Sequence, residues 1–335
     1  MARCLIGLGA NLGDRQATLS CAVARLASTA GVTIESQSRW HETAPVGGPA
    51  GQAKYLNGAL ALETLLAPLA VFDRLREIER DLGRRRRQRW GARRVDLDLL
   101  LYDQLHLDTP RLTVPHPRMA FRRFVLEPAA EVAADMLHPT SGWSIARLLA
   151  HLDESKPYVA ITGLPGAGKT RLAGIAARDA GARLLTEPPP AGVGPAEAMA
   201  EIERLSRRAR LLTAVEWPAV ESWVVSDFWF DESLAWSAAW LDAPGRAAVA
   251  EIWQSLRAVV PAPRLLVVLD TPHVATSKTP ADHGLADGDS ARRDRWRKAL
   301  VEQIRRSDQG PTCWLPAADA AQAGTELLAA LAAMR

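Results

Sequence analysis

"RWGARRVDLDLLLYD", residues 89–103, sets Asp96 and Asp98 inside a run of Val, Leu and Tyr that otherwise reads as a core strand, directly behind a belt of arginines. Strand side chains alternate between faces, so the two aspartates point one way, about 7 Å apart, while Val95, Leu97 and Leu99 point into the other layer. Two carboxylates on one face, meeting a polyphosphate, can hold two magnesium ions roughly 4 Å apart, because hard divalent cations take oxygen ligands and share them with phosphate. For an isolated D-x-D the plainer reading is a solvated face paired to arginine. Here Arg84, Arg85, Arg86, Arg87, Arg89, Arg93 and Arg94 outnumber the two acids, so most of them need an anion from elsewhere, and the guanidinium fork suits phosphate oxygens.

Outward from this strand, the first half alternates short apolar runs with helical patterns. "CLIGLGAN" and "LNGALALETL" read as strands, "RQATLSCAVARLAST" and "PLAVFDRLREIERDLG" as helices. In the second helix Leu69, Phe72, Leu75, Ile78, Glu79 and Leu82 recur at helical spacing, and Gly83 is its stop. Helices interleaved with strands that pair by proximity predict a compact α+β sandwich on a mainly antiparallel sheet.

At 335 residues the chain is too long for one small domain. The register changes within residues 152–156, which gives domains 1–152 and 157–335. Past the boundary, "YVAIT", "ARLLTE", "VESWVVSDF", "RLLVVLD" and "PTCWLP" read as buried strands between helices, an α/β domain with a parallel sheet. "GLPGAGKT" satisfies G-x-x-x-x-G-K-S/T with Gly163, Gly168, Lys169 and Thr170, with Gly166 between them. Glycines let backbone amides turn onto phosphate, the helix N-terminus adds positive charge, Lys169 reaches the β/γ oxygens, and Thr170 offers a hydroxyl to one magnesium ion. The many tryptophans there, Trp217, Trp223, Trp229, Trp236 and Trp240, read as core and helix packing.

The basic run "GRRRRQRWGARR" by itself suits a nucleic-acid patch, a solvated face or a polyanion clamp. Carboxylates beside it would repel a phosphodiester backbone, so a nucleic-acid-binding ATPase is the remote alternative and no nucleic-acid partner is expected. Cys4, Cys21 and Cys313 are scattered and read as buried small apolar residues of a reducing compartment. No apolar run reaches the roughly 18 to 20 residues of a membrane helix, and the N-terminus lacks a signal cleavage site, so no membrane partner and a cytoplasmic location are expected.

With "RLTVPHPRM" (111–119), "GLGANLGD" and "ETAPVGGPAGQAKYLNGAL", the opening stretch resembles the signature of the 6-hydroxymethyl-7,8-dihydropterin pyrophosphokinase family, over residues 1 to about 150. The resemblance implies a ferredoxin-like α+β sandwich that moves the β,γ-diphosphate of ATP onto the pterin hydroxymethyl oxygen and releases AMP. It implies magnesium on Asp96 and Asp98, and phosphate clamping by Arg84 and Arg93. On the ATP side it implies Glu79, Arg86, Trp90, Arg111, Thr113, His116 and Arg122; on the pterin side, Thr43, Val46, Tyr55, Asn57 and Phe124. Ala44 before Pro45, and Arg123 before Phe124, depart from the family pattern.

The second half, through "VVSDFWFDESLAWSAAWL" (224–241), resembles the deoxynucleoside kinases. That resemblance implies Glu187 as general base, a role for Asp227 and Arg207, and a deoxynucleoside partner. Ala200 stands where the family reads the base with glutamine, and the segment after the "LD" strand lacks the family's lid arginines. Two readings follow for the P-loop half: a degenerate nucleotide-binding module, or an active kinase that makes the chain bifunctional.

Overall fold

The computed structural model describes residues 1–84, 90–187, 198–217, 222–270 and 290–335. It divides into two compact units, Met1–Asp153 together with Ala329–Arg335, and Glu154–Leu328.

In the first unit β1 (Ala2–Ala10), β2 (Val32–Gln37), β3 (His41–Thr43), β4 (Tyr55–Thr64) and β5 (Asp96–Tyr102) form one antiparallel sheet in the order β2-β4-β1-β5, with β3 also on β4. Helix α1 (Arg15–Ala27) starts where the Asp14 carboxylate accepts the Ala17 N–H at 3.0 Å, and α2 (Pro68–Asp81) starts on a proline, whose missing N–H costs a first helical turn nothing. Both helices bury one face on the sheet: Leu19, Ala22 and Leu26 of α1 and Val71, Leu75 and Ile78 of α2 join Cys4, Ile6, Leu8, Leu60, Leu62, Leu97 and Leu99 in one core. Leu69, expected on the buried face of α2, is exposed. The packed set is 71, 75 and 78, one helical stripe, and Leu69 lies off it. Helix α3 (Arg123–Ala133) packs on β4 and β1 outside that core, and α4 (Ile145–Glu154) closes the unit. A short hairpin, β6 (Leu107–Asp108) with β7 (Thr113–Val114), follows β5.

In the second unit β8 (Tyr158–Gly163), β9 (Arg183–Leu185), β10 (Val224–Ser226), β11 (Leu265–Asp270) and β12 (Thr312–Pro316) form a parallel sheet in the order β12-β11-β8-β10-β9. β8 is buried along its whole length, which is why it reads as an unbroken apolar run rather than an alternating one. Helices α5 (Lys169–Ala180), α6 (Ala198–Thr213), α7 (Glu232–Trp240), α8 (Ala243–Arg257) and α9 (Ser290–Arg306) accompany the strands, with α10 (Ala320–Ala333) as far as Leu328. Trp223 and Trp229 are fully buried, and Trp217, Trp236 and Trp240 pack against the same core, as the sequence predicts. Cys4 and Cys313 are buried, but Cys21 is exposed, contrary to its expected place in the core. It sits on α1 between the stripe residues Leu19 and Ala22, and a helix turns the intervening position outward. Among the described residues no helix is long and apolar enough to cross a membrane.

Candidate active site

The cleft of the first unit is a cavity of about 1640 Å³. Single-ligand pockets run to roughly 300–1,000 Å³, so this volume has room for two substrates side by side. Its floor is one face of the sheet. Gly9 pairs with Asp96 on one side and with Asn57 on the other, and Gly7 pairs with Asp98. Glycines at these two positions keep β1 bare between the acids of β5 and the amide of β4. A Cβ on Gly9 would stand 3.0 Å from Asn57 Oδ1, and one on Gly7 would stand 3.2 Å from Leu100 Cδ1. Asp96 and Asp98 both line the cavity, while Val95, Leu97 and Leu99 are buried in the opposite layer.

Thirteen of the expected site residues line this one cleft: Arg84, Trp90, Arg93, Asp96, Asp98, Arg111, His116 and Arg122 with Thr43, Val46, Tyr55, Asn57 and Phe124. Asn57 donates from Nδ2 to Thr43 Oγ1 at 2.7 Å, and the Arg122 guanidinium lies over the Phe124 ring, 5.6 Å from its centroid. Arg86 lies outside the described residues.

Glu79 and Thr113 do not line the cleft. Thr113 turns to the hairpin and donates to Asp108 Oδ1. Glu79 is 2% exposed, and both its oxygens are used internally: Oε1 accepts the Leu97 N–H at 2.8 Å and an Arg84 N–H, while Oε2 accepts from Arg76 at 3.2 Å. These bonds anchor β5 and Arg84 to α2. A buried carboxylate needs such partners, since its desolvation is otherwise uncompensated.

Arg84 also pairs with Asp96 at 2.7 Å, and Arg93 pairs with the other Asp96 oxygen. Burial and the neighbouring Asp98 carboxylate push the Asp96 carboxyl up, while Arg93 and Arg84 pull it back. Among the described residues no cluster of three or more His, Cys, Asp or Glu side chains could hold a metal by itself. The donor set is two hard carboxylates lining one cleft, which fits a magnesium ion that completes its shell with phosphate oxygens and water.

His116 is fixed through its backbone, whose N–H donates to Leu100 O at 2.9 Å. Its Nδ1 accepts the Arg118 N–H at 3.2 Å, which assigns the ring proton to Nε2 in the neutral form. Burial, with Arg122 and Arg118 nearby, lowers its pKa to about 3, so the ring is neutral at physiological pH.

In the second unit the glycine loop follows β8 and leads into α5, with Gly168 at the helix N-cap. Gly163 closely approaches β11: a Cβ there would stand 2.8 Å from Leu269 O. Lys169 Nζ donates to Gly163 O at 2.9 Å, and Thr170 donates to Asp227 Oδ2 at 2.7 Å. Asp227 follows β10, the neighbour of β8, and its Oδ1 accepts the Glu187 N–H at 3.0 Å. Glu187 Oε2 is held at 2.7 Å by Arg208, and Arg204 lies 3.7 Å from Oε1. The expected Arg207 instead pairs with exposed Glu203. Arg208, 3% exposed, falls in the buried stripe of α6 with Leu205 and Leu212, and that register was the signal that distinguished it from its neighbour.

Residues 5–134 match the family model described as 7,8-dihydro-6-hydroxymethylpterin-pyrophosphokinase. The 2-amino-4-hydroxy-6-hydroxymethyldihydropteridine pyrophosphokinase of Bacillus subtilis is 46% identical over 127 residues, which cover 38% of this chain and 75% of that protein. Its namesake from Pseudomonas aeruginosa is 39% identical over 165 residues, covering 49% of this chain and 98% of that protein. Among solved structures, deoxyadenosine kinase from M. mycoides aligns over 51% of this chain and 95% of its own at 15% identity, with a TM-score of 0.38. That likeness is too slight to carry weight, and the chemistry of the second unit rests on its own residues. The antiparallel sheet and its two-substrate cleft define the class of the first unit, a pyrophosphokinase. The chain belongs to the 7,8-dihydro-6-hydroxymethylpterin-pyrophosphokinase family and acts in folate biosynthesis.

A histidine whose folded pKa lies below its unfolded value of about 6.5 adds stability that is whole above pH 6.5 and is lost as pH falls toward the folded pKa. His116→Asn should therefore flatten the decline of the first unit's stability between pH 6.5 and pH 4, measured by urea unfolding at several pH values. An unchanged slope would show that the ring titrates alike in the folded and unfolded chain.

Proposed function

We propose that residues 1–152 form the pyrophosphokinase domain and 157–335 a separate nucleotide-binding domain. In the first, the pterin hydroxymethyl oxygen attacks the β-phosphorus of ATP, the bond to the α,β-bridging oxygen breaks, and AMP leaves. The observation that carries this reading is the shared face of Asp96 and Asp98, open to a cleft that also contains Asn57, Tyr55 and Phe124. Two magnesium ions held by Asp96 and Asp98 with the triphosphate would neutralise charge as it develops on the transferred group. The chain's own part is position and charge. Arg84 and Arg93, which pair with Asp96, exchange that carboxylate for phosphate oxygens when ATP arrives, and Arg86 joins them. His116 offers a neutral Nε2–H to the nucleotide, beside Arg111, Arg122 and Trp90. On the pterin side Asn57 supplies a donor and an acceptor to the heterocycle edge, Tyr55 and Phe124 its apolar walls, and Thr43 and Val46 the rim. No side chain acts as nucleophile.

For the second domain, we infer binding of a nucleoside triphosphate at Gly163, Gly166, Gly168, Lys169 and Thr170, with one magnesium ion between Thr170 and the phosphates. The Thr170–Asp227 hydrogen bond supports this reading, since P-loop proteins hold the ion with a hydroxyl and an acid on the adjacent strand. Glu187, engaged by Arg208 and Arg204, favours the degenerate module over an active deoxynucleoside kinase, because an acid already committed to two cations is a poor proton acceptor.

Two outcomes check these assignments. Asp98→Ala should lower AMP formation from ATP and hydroxymethyldihydropterin by at least 1000-fold, and turnover within tenfold of the parent refutes the metal assignment. Lys169→Ala should remove one of two ATP-binding events seen by calorimetry while AMP formation persists, whereas two surviving events would dismiss the P-loop as a nucleotide site.

A further inference from the structure

Asn11 stands one residue past β1, is 2% exposed, and does not line the cleft, yet all of its side-chain partners do. Its Oδ1 accepts the Arg93 N–H at 2.7 Å, and its own backbone N–H donates to Arg93 O at 3.0 Å, so one residue holds both backbone polar groups of Arg93. Its Nδ2 donates in the opposite direction, to Ala53 O at 3.2 Å and Gln52 Oε1 at 3.4 Å. Gln52 in turn donates to Gly47 O at 3.2 Å and to Trp90 O at 3.1 Å. The amide thus sits where the segment carrying Arg93 meets the segment that leads into Tyr55 on the pterin side. Its acceptor serves one segment and its donor the other, and the planar amide fixes the two relative to each other.

We propose that Asn11 is a positioning residue for diphosphate transfer: it sets Arg93 relative to the pterin-side segment at Gln52 and Ala53, so that pterin placement and the phosphate clamp are adjusted together. Neither half of this task tolerates a change in polarity. Aspartate keeps the acceptor for Arg93 but turns a donor into an acceptor facing Ala53 O. Alanine removes both arms, leaving the Arg93 N–H and the Ala53 carbonyl without that partner. A displacement of about 1 Å in a group that contacts the reacting phosphates can cost about 100-fold in rate, so a residue outside the cleft can act strongly through Arg93.

The inference rests on the reading of Arg93 as a phosphate ligand, and the experiment separates the two. In the full chain, AMP formation is followed at varied pterin for Asn11→Ala, Asn11→Asp, Arg93→Ala and the N11A/R93A pair. Arg93→Ala alone tests the ligand reading; a kcat within threefold of the parent removes that reading and the inference with it. If Arg93→Ala is impaired, N11A should lose about 10- to 100-fold in kcat, and the double variant should be no slower than R93A. N11D should keep kcat within threefold and raise the pterin KM at least fivefold. A merely structural asparagine would lower the folded fraction and leave kcat per folded molecule and KM alone. Losses that multiply in the double variant, N11A kcat within twofold of the parent, or an N11D pterin KM unmoved would each overturn the proposal. If N11A fails to fold, the N11D pterin KM decides by itself.

Discussion

The contact on which the active site turns is buried: the Glu79 carboxylate, on the inner side of α2, takes the Leu97 N–H, Arg84 and Arg76. It fastens the start of β5 to α2 and gives the first arginine of the basic loop a fixed origin. From there the charges alternate, Glu79 to Arg84, Arg84 to Asp96, Asp96 to Arg93. Three acids (Glu79, Asp96, Asp98) alternate with three arginines (Arg76, Arg84, Arg93), and Arg94, Arg111, Arg118 and Arg122 also line the cleft, a surplus of positive charge that suits a polyphosphate. A triphosphate that arrives with divalent cations can then replace internal ion pairs without leaving a buried charge uncompensated, which would cost several kcal/mol per ion.

Sheet geometry converts this network into a reaction surface. Asp96, Gly9 and Asn57 lie in register across β5, β1 and β4, with acid at one end, amide at the other, and no side chain between. A pterin at the amide end and a metal-bound triphosphate at the acid end would meet over the bare strand. The same alternation that exposes these residues drives Ile6, Leu8, Leu97 and Leu99 into the core beneath α1 and α2, so the site and the fold are two faces of one pattern.

Much of this was legible in the sequence because it depends on local period. The 96/98 spacing specified the shared face, the 3.6-residue stripe specified α2, and the glycine loop between an apolar run and a helix specified the P-loop. Residues whose role is set by distant partners were less readable. Glu79 sits on the correct helix, but only the packing of α2 on β5 reveals that Leu97 and Arg84 share one of its oxygens while Arg76 takes the other. β2, with alternating half-buried and exposed residues, and the three-residue β3 lack the apolar content that marks a central strand, and both lie on the outer side of β4. Asn11 reads as an ordinary turn residue until residues 82 positions apart are brought together. Arg207 and Arg208 are adjacent in a basic helix, and only the burial stripe separates a solvated arginine from one inserted among Glu187, Ser233 and Trp229.

All of this depends on β5 presenting two acids to one bound triphosphate. The most direct measurement is the manganese stoichiometry of the Lys169→Ala chain, saturated with a non-hydrolysable ATP analogue and read by electron paramagnetic resonance. Two strongly coupled ions per chain, falling to at most one with Asp98→Ala, is the expected result. One ion or none before that substitution, or a count unaffected by it, would contradict the paired-carboxylate site.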